Sequence, residues 1–250
     1  MNPFQHYSFD LWMTLIRSDP AFKRERTRFF YDNFNYRNRS IEEITAVFRR
    51  VDLLADTDNE KTGKHIESER LHGMVITAMN DDDDGALEGI DLGNLYQEME
   101  GLLLKHPPVF FDDDTPMVLD RLKIEAGGQS SFSLLSNTAF IKGRILRKVL
   151  DGLGLAGFFD FQLYSDEEGL SKPNKQLFGR MLEKIALQRK DAGKRAIGLT
   201  EIVHIGDNEK ADIGGANAVG ISSLLINSNG KGIICLLEQS TGYDNDLFLT

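Results

Sequence analysis

The chain carries a single cysteine, Cys235, in 250 residues. No intrachain disulfide can form, and a CxxC redox pair or a cysteine-based zinc site is excluded. Positive charge is also scarce: 29 Lys and Arg stand against 39 Asp and Glu, a formal net charge of −10. That balance argues against a nucleic-acid backbone or an anionic membrane as partner, while leaving room for a local basic pocket. No stretch approaches the roughly 20 apolar residues that span a bilayer. The opening MNPFQHYSFDLW has neither the basic segment nor the apolar run of a secretion signal. The expectation is a cytoplasmic protein that acts on a small molecule. No oligomeric state follows from the sequence, and Asp244–Thr250 carries no readable pattern.

What is present reads as alternating short strands and helices. His6–Trp12, Ser131–Leu135, Phe161–Tyr164, Ile202–Ile205 and Ser222–Ile226 are short, nearly continuous apolar runs. Such runs suit parallel strands buried on both faces. Between them, Ile145, Leu146, Val149, Leu150 and Leu153 form one helical stripe, and Leu177, Phe178, Met181, Leu182 and Ile185 another. Strand and crossover helix alternate as in a doubly wound, Rossmann-like α/β fold.

Residues 16–106 break this rhythm. Ser40 and Glu43 make a capping-box pair, after which Ile41, Ile44, Val47, Phe48 and Val51 share one helical face. Leu95, Met99, Leu102 and Leu103 mark another helix, ending near His106. The block therefore reads as an all-helical insertion, a cap on a core made of residues 1–15 and 107–250. Asp81–Asp84 reads as a solvated loop, since adjacent carboxylates repel one another. Asp112–Asp114 reads as the lead-in to a helix at Pro116, with Asp114 or Thr115 as its cap.

Four patterns at predicted strand ends could carry chemistry, because ligands of open α/β sheets bind along that edge. Asp10, in Phe9-Asp10-Leu11-Trp12, could be aimed at an electrophile, although a lone strand-end Asp more often caps a turn. Ser136 and Asn137 could hydrogen-bond an anionic oxygen, or simply cap the next helix. Lys172, in Ser171-Lys172-Pro173, could neutralise a transferring group, yet most loop lysines are only solvated. Asp207 and Asp212, in Gly206-Asp207-x₄-Asp212, are spaced to supply two hard oxygen ligands to Mg²⁺. One capping Asp would not account for the second carboxylate.

Taken together and in this order, Asp, Ser, Lys-Pro and Gly-Asp-x₄-Asp resemble the haloacid dehalogenase superfamily, whose helical cap also follows the first motif. The resemblance implies Asp10 as a nucleophile that forms a covalent aspartyl intermediate, Ser136 and Asn137 at the transferred group, and Lys172 as the neutralising cation. It implies Mg²⁺ held by Asp10, the main-chain oxygen of Trp12, Asp207 and Asp212. Trp12 departs from the phosphatases of that family, which carry a general acid/base Asp there. An indole N–H donates a hydrogen bond but exchanges no proton near neutral pH. Three readings rank in order: a Mg²⁺-dependent phosphohydrolase of a small phosphate ester; a 2-haloacid dehalogenase-like enzyme in which Asp10 attacks carbon; and a catalytically weak anion-binding protein. Arg17, Lys23, Arg24 and Arg26 could face the cleft, each being more often solvated surface, and Trp12 and Met13 could form an apolar wall.

Overall fold

The computed structural model describes residues 4–125 and 130–238; Asp244–Thr250 lies outside them. The strands are β1 (His6–Phe9), β2 (Ile16–Arg17), β3 (Val109–Phe110), β4 (Ser131–Ser136), β5 (Phe161–Tyr164), β6 (Ile202–Gly206) and β7 (Ser222–Leu225). The longer helices are α1 (Pro20–Phe34), α2 (Ile41–Thr62), α3 (Ser68–Met79), α4 (Leu92–Lys105), α5 (Thr115–Glu125), α6 (Gly143–Gly152) and, beyond the short α7 (Ser165–Glu168), α8 (Lys175–Asp191).

Five strands form a parallel sheet in the order β5-β4-β1-β6-β7. This is the expected α/β Rossmann-like core. Every residue of β1, β4 and β6 is buried, as parallel strands covered on both faces require. β1 lies between β4 and β6, with Phe9 level with Leu134 on one side and Ile205 on the other. The strand order reverses there, so the carboxyl ends of these three strands open onto one crevice. The predicted helical stripes pack inward: Ile145, Leu146, Val149 and Leu150 of α6, and Leu177, Phe178, Met181 and Ile185 of α8, are buried.

Between β2 and β3 the long elements are helices, and α1–α2, α2–α3, α3–α4 and α1–α4 pack on one another. α2 opens with the expected capping box: Glu43 N donates to Ser40 Oγ, and Ser40 N donates to Glu43 Oε2. Its apolar face, Ile44, Val47, Phe48 and Val51, is buried.

Four sequence expectations change in detail. β1 stops at Phe9 rather than Trp12, because Leu11 O accepts from both Leu15 N and Ile16 N and Met13 adopts φ 58°, folding Trp12–Leu15 into a loop. Ile16–Arg17 is not part of the helical block but a strand, paired antiparallel with Val109–Phe110. A two-residue strand is too short to show a period of two. The acidic run Asp81–Asp84 is more than solvated loop: Arg37 and Arg39 pair with Asp81, Arg37 with Asp83, and Arg50 with Asp82. Finally, α5 starts at Thr115, and it is Asp112 whose carboxylate accepts from Asp114 N, with Thr115 Oγ donating to Asp112 O.

Candidate active site

Asp10 follows directly on β1, and its N–H donates to Ile205 O at 2.8 Å, which holds the residue level with the end of β6. Its side chain is buried. Oδ1 receives Lys172 Nζ at 2.6 Å and Oδ2 receives Thr14 Oγ1 at 3.1 Å. Lys172 reaches the same point from the loop between α7 and α8 and is 1% exposed. Its ammonium also donates to Asp212 Oδ1 at 2.6 Å.

Asp212 lies on a π-helical turn, Glu209–Gly214, that follows β6. It accepts further bonds from His204 Nε2 (3.1 Å) and Asn208 N (3.0 Å). Gly206 makes this approach possible, because a Cβ there would stand 2.2 Å from Asp212 Cγ. A chain of contacts thus runs from Ser8 through His204, Asp212 and Lys172 to Asp10. Asp207 sits beside them, with Thr14 Oγ1 3.4 Å from its Oδ1.

Burial penalises every charge in this cluster, and the partners decide the outcome. Burial alone would lower the Lys172 pKa, but Asp10 and Asp212 raise it above the usual lysine value, so it remains an ammonium. Against the same burial, Lys172 and His204 hold Asp212 well below the usual carboxylate range. Asp10 is raised by burial, with repulsion from Asp212 added and Lys172 opposing. Asp207 is pushed up to about 7 by burial and by Asp10 and Asp212. Burial lowers the His204 pKa, so it serves as a neutral donor.

Oxygen atoms of Asp10, Asp207 and Asp212 lie within 4.8 Å of one another. Three carboxylates face one ammonium, and hard oxygen donors in excess negative charge fit a divalent cation such as Mg²⁺. The donor set therefore suits the metal that the sequence motifs imply.

The remaining sequence candidates divide. Asn137 lines the crevice, but its amide is committed to the Lys172 backbone, accepting from Lys172 N (2.7 Å) and donating to Lys172 O (3.1 Å). Ser136 is fully buried and donates to Asn137 O at 3.1 Å. Trp12 and Met13 line the cavity, as do Lys23, Arg24 and Arg26. Arg17 does not; its guanidinium lies over Phe111. Sequence reasoning missed Thr14, His204 and Asp56. Thr14 is four residues from Asp10 and could have been found by asking what binds the second carboxylate oxygen. His204, inside a buried strand, gave no such signal.

The cavity above Asp10 measures about 1020 Å³ and is walled by α1, α2 and the loop after β4. α2 is fastened over it at its carboxyl end. Ser171 N and Asn174 Nδ2 both donate to Gly63 O (3.0 and 3.1 Å), and Lys210 pairs with Glu60 at 3.1 Å. Asp52, Asp56 and Asn59, spaced along one face of α2, all line the cavity.

Fold and cluster together define a Rossmann-like α/β protein with an acidic site at the switch point of its sheet. The chain belongs to the haloacid dehalogenase-like hydrolases: the model of that family matches residues 5–220. Over 83 residues, 33% of this chain and 29% of the relative, it is 36% identical to haloacid dehalogenase-like hydrolase domain-containing protein 3 of Bos taurus. Over 76 residues, 30% of this chain and 28% of the relative, it is 41% identical to a ribulose-1,5-bisphosphate 5-phosphatase of Halopiger xanaduensis. These matches span less than a third of either relative. Among solved structures, the HAD-hydrolase YfnB of Bacillus subtilis, bound to magnesium, superposes with a TM-score of 0.67 at 17% identity, covering 91% of each chain. A HAD phosphatase of Thermococcus onnurineus gives 0.63 at 18%, over 96% of this chain and 98% of that one. The L-2-haloacid dehalogenase of Xanthobacter autotrophicus with chloropropionic acid covalently bound gives 0.57 at 19%, over 89% and 77%. Likenesses at these identities establish the shared fold.

Proposed function

We propose that this hydrolase is a Mg²⁺-dependent phosphohydrolase of a small phosphate ester, with Asp10 as nucleophile and the helices between β2 and β3 as its cap. The observation that carries the reading is the gathering of Asp207 and Asp212 beside Asp10. Displacement of halide from carbon needs no cation, whereas bringing an anionic ester to an anionic nucleophile does. Asp10, Asp207, Asp212 and the main-chain oxygen of Trp12 would hold the metal. When bound, Mg²⁺ supplies the positive charge that offsets repulsion between ester and carboxylate.

The chain's own groups account for the remaining steps. Lys172 and Thr14 orient the Asp10 carboxylate. One Asp10 oxygen attacks phosphorus as the bond to the leaving oxygen breaks, giving an aspartyl phosphate on Asp10. Water then attacks that phosphorus, giving its proton back to the group that protonated the leaving oxygen, and the acyl–phosphate bond breaks to release phosphate and restore the carboxylate. Lys172, fixed by Asn137 and Asp212, balances charge in both steps. The leaving oxygen needs a proton that Trp12 cannot give. Asp56 is the group we assign to this task. It lines the same cavity from α2, and burial together with Asp52, Glu60 and Asp10 pushes its pKa up to about 6.

The second reading, dehalogenation, is favoured by Trp12, since displaced halide needs no proton. The relatives include both a phosphatase and a dehalogenase. The test is release of phosphate from an activated aryl phosphate with and without Mg²⁺, run beside halide release from a 2-haloacid. Metal-dependent phosphate release that vanishes in Asp10→Asn is the expected result. Halide release without metal would overturn it in favour of the dehalogenase.

A further inference from the structure

The chain is strongly acidic, yet α1 delivers Lys23, Arg24, Arg26 and Arg28 to the cavity wall. Arg28 is paired with Asp32 at 2.8 Å. Arg26 is placed differently. Its guanidinium lies 3.8 Å from the centre of the Phe48 ring, with the rings of Phe22 and Phe140 at 5.4 and 5.5 Å. Those three rings come from α2, α1 and the loop after β4, the loop that also carries Asn137.

Within this cage the Arg26 Nε is buried and has no hydrogen-bond partner. Among the described residues no carboxylate stands within 4.0 Å of the guanidinium, although Asp52 acts on it through space. Burial lowers its pKa only to about 10, so the group is charged at neutral pH.

A buried cationic donor without an acceptor is unfavourable unless something supplies one. The rings offer the guanidinium no acceptor for a two-pronged hydrogen bond, which a carboxylate or phosphate would supply. The cavity shared with Asp10, about 1020 Å³, is far larger than a phosphoryl group requires and is of the size that takes a whole small molecule.

We propose that Arg26 receives a second anionic group of the substrate, so that the substrate class is a small phosphate ester bearing a carboxylate or a further phosphate. The inference rests on the phosphohydrolase reading for the first anionic group. It makes Arg26 a specificity residue of the cavity that it shares with the Asp10 cluster, with the three rings holding its guanidinium in place.

The test uses Trp12, the only tryptophan and itself a cavity residue, as a fluorescent reporter. The full chain with Mg²⁺ is titrated with three phosphonates that resist hydrolysis: methylphosphonate, phosphonoacetate and propane-1,3-diphosphonate. Wild type should bind one of the two doubly anionic probes about 10- to 100-fold more tightly than methylphosphonate, the range expected of one charge-assisted pair. Preference for phosphonoacetate identifies a carboxylate as the second group, and preference for the diphosphonate a phosphate. Arg26→Gln should abolish that preference and leave methylphosphonate affinity within about twofold.

An undiminished preference in Arg26→Gln, or equal weakening of all three probes, would overturn the inference. If Arg26→Gln does not fold, Arg26→Lys is measured instead; it keeps the charge and loses the planar fork, and an unaltered preference there has the same consequence. Binding of methylphosphonate without any preference overturns this inference alone. Failure to bind any of the three overturns it together with the reading on which it rests.

Discussion

At the scale of single residues, the proposed phosphohydrolase turns on Trp12 and Asp56, which line the same cavity from the loop after β1 and from α2. In that proposal Trp12 offers no exchangeable proton to the leaving group and Asp56 does. A general acid is worth about 10²–10⁴ in rate when the leaving group is poor and little when it is good. Asp56→Asn should therefore lower kcat on an alkyl phosphate by about 10²-fold or more and change that on an activated aryl phosphate by less than about threefold. Adding Trp12→Asp to this variant should restore alkyl phosphate turnover at least about tenfold. Equal loss on both substrates would refute the assignment of Asp56. A folded double variant with no recovery would show that Trp12 serves as cavity wall, beside Met13, rather than as a vacated acid position.

At the scale of elements, the site is assembled by strand ends that leave no room for side chains they do not need. Gly206 closes β6 beneath Asp212. Gly206→Ala would drive a methyl group into the Asp212 carboxylate and separate it from Lys172. Breaking a buried pair in this way costs about 3–5 kcal/mol. Thermal unfolding should show that loss together with loss of activity. Gly157→Ala, at a position where a Cβ meets nothing within 4 Å, is the control and should change stability by less than about 0.5 kcal/mol. The elements themselves were largely legible beforehand. The stripes of α6 and α8, the capping box of α2 and the apolar runs of β4 and β6 each carry a local signal in consecutive residues. β2 and β3 had none, because two residues show no periodicity and their pairing spans the whole helical block.

At the scale of the molecule, buried histidines tie distant segments together. His6 joins β1 to Ser131 and Ser133 of β4 at 2.7 and 2.9 Å. His72 of α3 packs among Phe30, Tyr96 and Phe140, between helices and core. Burial, with nearby positive charge, lowers both pKa values to about 3. Both rings are thus neutral in the fold, whereas in the unfolded chain they bind a proton below about 6.5. Their contribution is complete above pH 6.5 and is lost as pH falls from there towards 3. Asp56 and Asp207, with raised pKa values, act in the opposite direction, so the comparison must isolate one histidine. Relative to His72→Leu, the wild type should lose about 1.4 kcal/mol of stability per pH unit below 6.5, read from denaturant melts. A constant difference between pH 7.5 and 5 would exclude a neutral buried His72.

Local pattern along the chain was enough for the α/β class, the helical block after the first motif, and the residue types that stand at the strand ends. Periodicity, capping and strand-end motifs are properties of neighbours along the chain. The sequence equally shows what is missing: the disulfide, the long apolar span and the acid at position 12. Folding in three dimensions was needed to bring Asp10 and Asp212 onto one lysine with Asp207 beside them, to commit Asn137 to holding that lysine, and to set Asp56 and Arg26 on the same cavity. These depend on burial and on contacts between distant residues, such as Asp10 and Lys172, 162 positions apart. The free energy of a charge follows from its surroundings in space, which no local pattern records.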